Sequence, residues 1–137
     1  MVTIEEVQDT LSRTILPPPK HVYIAEKPIK VQRDGSFWIM GAQKRGQDMI
    51  VLSPLSTREN IIHETLHSLG FGEVAAQILG KLISLRISLF PNLFKKEVKY
   101  KLVEEDAAKR IGLEEKGSHY LLREKASYQV RHFVLEV

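Results

Sequence analysis

The chain contains no cysteine, two asparagines, three methionines and one tryptophan among its 137 residues. Without cysteine there is no thiolate to ligate a metal or act as a nucleophile, and no disulfide framework of the kind that marks small secreted domains. No charge-free apolar run approaches the ~20 residues that a helix needs to cross a bilayer. Residues Met1 to Asp9 are polar and acidic and lack the charged-then-apolar pattern of a secretory leader, so the expected location is the cytoplasm, with no membrane partner. Few asparagines beside many lysines, arginines and glutamates is a balance found in heat-adapted proteins. A net charge of +3 is mild, and neither an aromatic-rich RNA-binding signature nor zinc-finger spacing accompanies it, so nothing points to nucleic acid. Lys95, Lys96, Lys99 and Lys101 do cluster around Val98, which reads first as a solvated surface.

The length corresponds to a single domain over residues 1–137, large enough to bury a core without a metal to hold it folded. Thr3 with Glu6 has the spacing of a capping box, and Ile4, Val7, Leu11 and Ile15 continue at helical intervals until Pro17. Strands are expected over Val22 to Val31 and Phe37 to Met40, joined by a hairpin turn at Asp34-Gly35, and over Met49 to Leu52. From Glu73 to about Phe90 the residues are apolar around most of a helical circumference, which predicts a buried helix. A further helix is expected from Glu97 or Tyr100 to Ile111, and a strand over Tyr128 to Val137. The result is an α+β fold: a small mixed sheet of three to four strands against one central helix and two to three others.

That central helix carries the run His63-Glu64-Thr65-Leu66-His67. Residues four apart share a helix face, so His63 and His67 can offer two imidazole nitrogens to one metal ion. Glu64 lies about 100° around the helix, where it can reach a water on that metal without itself being a ligand. Ser56 and Glu59 read as the capping box of this helix, which should run from Thr57 to Leu69. Ile62, Leu66 and Leu69 form its apolar stripe, and Gly70 is its stop. A catalytic zinc takes a third protein ligand. Glu73 is six residues past His67, and Gly70 allows the sharp turn that brings position 73 back beneath the histidines.

The stretch His-Glu-x-x-His-x-x-Gly-x-x-Glu over positions 63 to 73 resembles the zincin superfamily of metallopeptidases, and the Gly70 spacing resembles its metzincin branch. That branch places His or Asp where this chain has Glu73, and its later methionine turn has no counterpart, since no methionine follows Met49. The gluzincin branch takes a third-ligand glutamate from a later helix, in the pattern Glu-x-x-Ala-Asp. Glu104 followed by Ala107 is similar, with Ala108 at the Asp position. Glu73 is the expected ligand, and Glu104 and His119 are the alternatives.

The resemblance implies a minimal zincin-like domain that binds Zn2+ and hydrolyses peptide bonds of a peptide or protein substrate, with Glu64 as general base. It also implies that an edge strand, Phe37 to Gly41 or Met49 to Leu52, would pair with an extended peptide. Tyr100, Tyr120, Tyr128, His119 and His132 are candidate donors to the oxyanion of a tetrahedral intermediate. His21, His119 and His132 otherwise read as surface or core histidines. The alternative from another class is a non-enzymatic binding or regulatory protein on the same scaffold, with the basic segment Lys95 to Lys101 meeting a partner.

Overall fold

A computed structural model describes residues 1–27, 29–32, 36–39, 41–42, 48–103, 110–116 and 123–137. In chain order the elements are α1 (Ile4–Ser12), β1 (His21–Ala25), β2 (Ile29–Gln32), β3 (Ser36–Ile39), β4 (Gly41–Ala42) and β5 (Met49–Leu52). They continue with α2 (Arg58–Ser68), α3 (Glu73–Leu89), β6 (Tyr100–Leu102), β7 (Arg110–Lys116) and β8 (Arg123–Leu135).

The main sheet has the order β4-β5-β1-β8-β6, and β7 pairs with the first part of the long β8. It is mixed: β1 runs parallel to β5, pairing His21 with Met49 and Ile24 with Leu52, whereas its other neighbour, β8, is antiparallel. β2 and β3 form a separate two-stranded antiparallel ribbon, with Ile29 opposite Ile39. Parallel pairing buries a central strand on both faces, which is why β1 and β5 are almost unbroken runs of apolar residues. Val22, Ile24, Ile50 and Leu52 point to one face and meet Val7 and Leu11 of α1 and Ile61 of α2. Tyr23, Ala25 and Val51 point to the other and meet Val130. The α+β class and the mixed sheet are thus as expected.

Several boundaries differ. α1 ends at Ser12 rather than Ile15, because the Ser12 and Thr14 hydroxyls bond the carbonyls of Asp9 and Leu11 and compete with the helical ladder. The strand expected over Val22 to Val31 is divided into β1 and β2, with the exposed pair Glu26 and Lys27 between them. The helix expected from Glu97 or Tyr100 to Ile111 is replaced by strand at both ends, in β6 and at the start of β7. Val98 and Tyr100 are buried while Lys99 and Lys101 are exposed, a period of two, and pairing with β8 overrides the helical reading. The Asp34-Gly35 turn lies outside the described residues.

The largest departure concerns α3. It is a helix as expected, but it is not buried: Ala76, Gly80 and Ile87 form its only fully covered positions. With Leu79 and Ile83 they pack on Ile62 and Leu66 of α2. Val74, Ile78, Leu82, Leu85 and Leu89 face outward. Among the described residues, no helix is long and apolar enough to cross a membrane.

Candidate metal centre

α2 follows directly from β5, the strand beside the centre of the sheet. The capping box forms one position later than the sequence suggests. Ser56 is buried in a turn in which its amide donates to the Ser53 carbonyl, so Thr57 becomes the first extended residue and the true cap. The Thr57 hydroxyl accepts from the Asn60 amide, and the Asn60 side chain accepts from the Thr57 amide. This places His63, Glu64 and His67 in the helix interior, where 3.6-residue periodicity holds.

The other end of α2 positions the third group. Gly70 adopts φ 100°, in the left-handed region. The Gly70 amide bonds the His67 carbonyl and the Phe71 amide bonds the Leu66 carbonyl, the paired contacts of a Schellman turn. Gly72 then caps α3 with extended backbone, and Glu73 is the first residue of α3, where a helix N-terminus favours negative charge. The reversal carries Glu73 back over α2. Its Oε1 lies 3.2 Å from His63 Nε2 and its Oε2 lies 2.9 Å from His67 Nε2, while the two Nε2 atoms are 3.0 Å apart.

The protonation chemistry of this triangle bears on whether a cation fits. His67 Nδ1 is 2.8 Å from the Phe71 carbonyl, which can only accept, so Nδ1 carries a proton. In a neutral ring that leaves Nε2 as a bare lone pair, directed at a carboxylate oxygen and at a second imidazole nitrogen. Acceptors facing acceptors repel unless positive charge lies between them, supplied by an imidazolium proton or by a metal ion. For a tetrahedral zinc with ligand bonds of ~2.0–2.1 Å, donor atoms stand about 3.3 Å apart, close to the spacing found here. The Phe71 carbonyl plays the part of the outer partner that fixes tautomer and ring orientation in metal-binding histidines. His63, His67 and Glu73 are also the described residues whose ligand atoms gather closely enough to hold an ion.

Glu64 is placed differently from these three. It is buried, 6% exposed, with Oε2 lacking a hydrogen-bond partner among the described residues. Burial, and secondarily the nearby negative charge of Glu73, push its carboxyl up to about 8. A buried oxygen without a protein partner, beside a triangle of ligand-type atoms, is suited to meet a water or substrate group held in front of it. Behind the site, α3 crosses α2 at Gly80, where an added Cβ would meet the His63 backbone and Cβ at 3.7 Å.

Of the remaining candidates, the two whose side chains are described, Tyr100 and His132, are engaged elsewhere. Glu104, His119 and Tyr120 lie outside the described residues, as does the side chain of Tyr128. Tyr100 donates to the Pro19 carbonyl at 2.5 Å inside the core, which engages its hydroxyl elsewhere. His132 stacks on Tyr23, with its Nε2 2.8 Å from His21 Nδ1, on the sheet face opposite the helices. Met49 to Leu52 is not an edge: β5 lies between β1 and β4, and the two-residue β4 occupies the rim instead. The sequence reading missed the Phe71 carbonyl, although a backbone acceptor four residues past His67, just beyond a glycine stop, is a place where a returning chain can meet an imidazole.

No family model, curated protein or solved structure matches this chain.

Proposed function

We propose that the protein is a zinc-dependent peptidase of zincin type in which His63, His67 and Glu73 hold the metal and Glu64 is the general base. The observation that carries this reading is the convergence of two imidazole nitrogens and a carboxylate within 2.9–3.2 Å of one another, beside a buried carboxyl oxygen with no partner of its own. When bound, zinc would acidify a water and polarise the scissile carbonyl. Glu64 Oε2 would accept the proton of the attacking water and return it to the departing amine nitrogen. With its carboxyl raised to about 8 by burial, Glu64 would have to lose its proton before acting as the base, which the positive charge of a bound metal would favour. His67 keeps its Nε2 lone pair toward the centre because the Phe71 carbonyl holds the proton on the other nitrogen. Among the described residues the short β4 lies at the sheet rim in contact with α2, and it would pair with an extended substrate.

The test is metal content followed by turnover. Purified protein should carry stoichiometric zinc, lost in His63→Ala and His67→Ala. Glu64→Gln should keep its zinc but cleave a denatured protein substrate about 10²–10⁴-fold more slowly. Zinc retained after loss of either histidine, or cleavage undiminished in Glu64→Gln, would refute the assignment.

A further inference from the structure

The outward side of α3 is apolar in its own right. Val74, Ile78, Leu82, Leu85 and Leu89 fall within a narrow arc of the helix, opposite Ala76, Gly80 and Ile87, which pack on α2. All five are at least half exposed, Val74 reaching 70%. The stripe extends ~22 Å along the helix. It continues past the helix end through Phe90 and Leu93, the latter 71% exposed.

This exposure is built, because the turn that presents Phe90 and Leu93 is pinned from below. Arg13 Nη1 donates to the Pro91 carbonyl at 2.8 Å and to Asn92 Oδ1 at 3.2 Å. Arg86 donates to the carbonyls of Phe90 and Arg13. A contiguous exposed apolar stripe is the mark of an interaction face, and charge selects among its occupants. Between Glu73 and Glu97 there is no carboxylate and there are four cations, of which Arg86 and Lys96 donate to backbone carbonyls and Lys81 and Lys95 are the exposed pair. Helical geometry sets Lys81 and Arg86 on opposite borders of the stripe, and Lys81 and Lys95 are exposed. A second copy of the same face would bring Lys81 toward Lys81 at the middle of the helix, with no carboxylate within the stripe to pair it. An anionic lipid surface offers both a hydrocarbon boundary for the stripe and negative headgroups for its rim.

We infer that α3 and the turn after it form a membrane-surface docking face, on which the protein lies against anionic phospholipid without crossing it. Since α3 begins at Glu73, docking would hold the candidate metal centre at the bilayer surface. Docking itself needs no metal.

Flotation with phosphatidylcholine vesicles, with and without phosphatidylserine, tests this on the full chain in zinc and again in a chelator. Binding is expected only to the vesicles containing phosphatidylserine, in both conditions, and should weaken as salt is raised. Leu82→Ser with Leu85→Ser, at exposed positions, should weaken it at least about tenfold, as should Lys81→Glu with Lys95→Glu. Absence of flotation, or equal binding to both vesicle types, would overturn the inference. So would sedimentation equilibrium showing a dimer that the double serine variant dissolves, which would assign the stripe to a second copy. Vesicle binding that persists in a protein without zinc or peptidase activity would leave this inference standing while removing the function proposed above.

Discussion

Tyr100 shows how one side chain can be diverted from the site by the fold. Its hydroxyl is buried under α1 and donates to the Pro19 carbonyl, so it cannot also serve an oxyanion. Burial, with the Asp48 carboxylate adding to it, raises its ionisation above the ordinary value of 10.0. The sign follows from linkage: above pH 10 the unfolded chain loses this proton and the folded chain retains it, so the contribution is complete below pH 10 and disappears as pH climbs through the folded value. Tyr100→Phe should cost about 1–2 kcal/mol at neutral pH by orphaning a buried carbonyl, and should flatten the alkaline fall in stability. Urea denaturation at pH 7 and across pH 9–11 checks both; an equally steep alkaline fall in the variant would count against it. Nothing in the sequence marks this tyrosine, because the Pro19 carbonyl reaches it only through tertiary packing. His63, Glu64 and His67 were legible because their geometry is local, fixed by one helical turn.

At the scale of elements, α2 and α3 are joined by one turn and packed along a shared apolar face, and the turn and the packing each rest on a glycine for different reasons. Gly70 has φ 100° and closes the Schellman turn, so Gly70→Ala should cost about 1–2 kcal/mol and weaken zinc binding by displacing Glu73. Gly80 has ordinary helical backbone in the middle of α3, and a methyl group there would sit at normal van der Waals distance from His63. Gly80→Ala should therefore stabilise the protein by about 0.5–1 kcal/mol without altering zinc stoichiometry. Thermal unfolding separates the pair, and a destabilised Gly80→Ala would show that the helices approach more tightly than described. The sequence located Gly70 correctly because a glycine after the last apolar position is a local stop signal. It misplaced the cap by one residue, since Ser56 and Thr57 can both cap a helix and the turn back to Ser53 decided between them.

For the whole molecule, the sheet, α1 and α2 bury a core that does not include the His63, His67 and Glu73 triangle. A chelator should leave far-UV circular dichroism unchanged, whereas zinc at about 100 times its dissociation constant should raise stability by ~2.7 kcal/mol. Loss of structure on chelation would make the metal structural instead. By itself the sequence determined the α+β class, the placing of His63, Glu64 and His67 on one helix and the glycine that ends it, because each follows from periodicity or backbone preference within a few residues. Tertiary structure alone decided three things. It converted the segment at Tyr100 from helix to strand by supplying β8 as a ladder partner. It set the distances at which Glu73, already expected beneath the histidines from the Gly70 turn, meets both rings. And it left one face of α3 open, since a helix apolar on opposite sides looks buried in sequence, and only the number of neighbours available to cover it reveals that one side faces out.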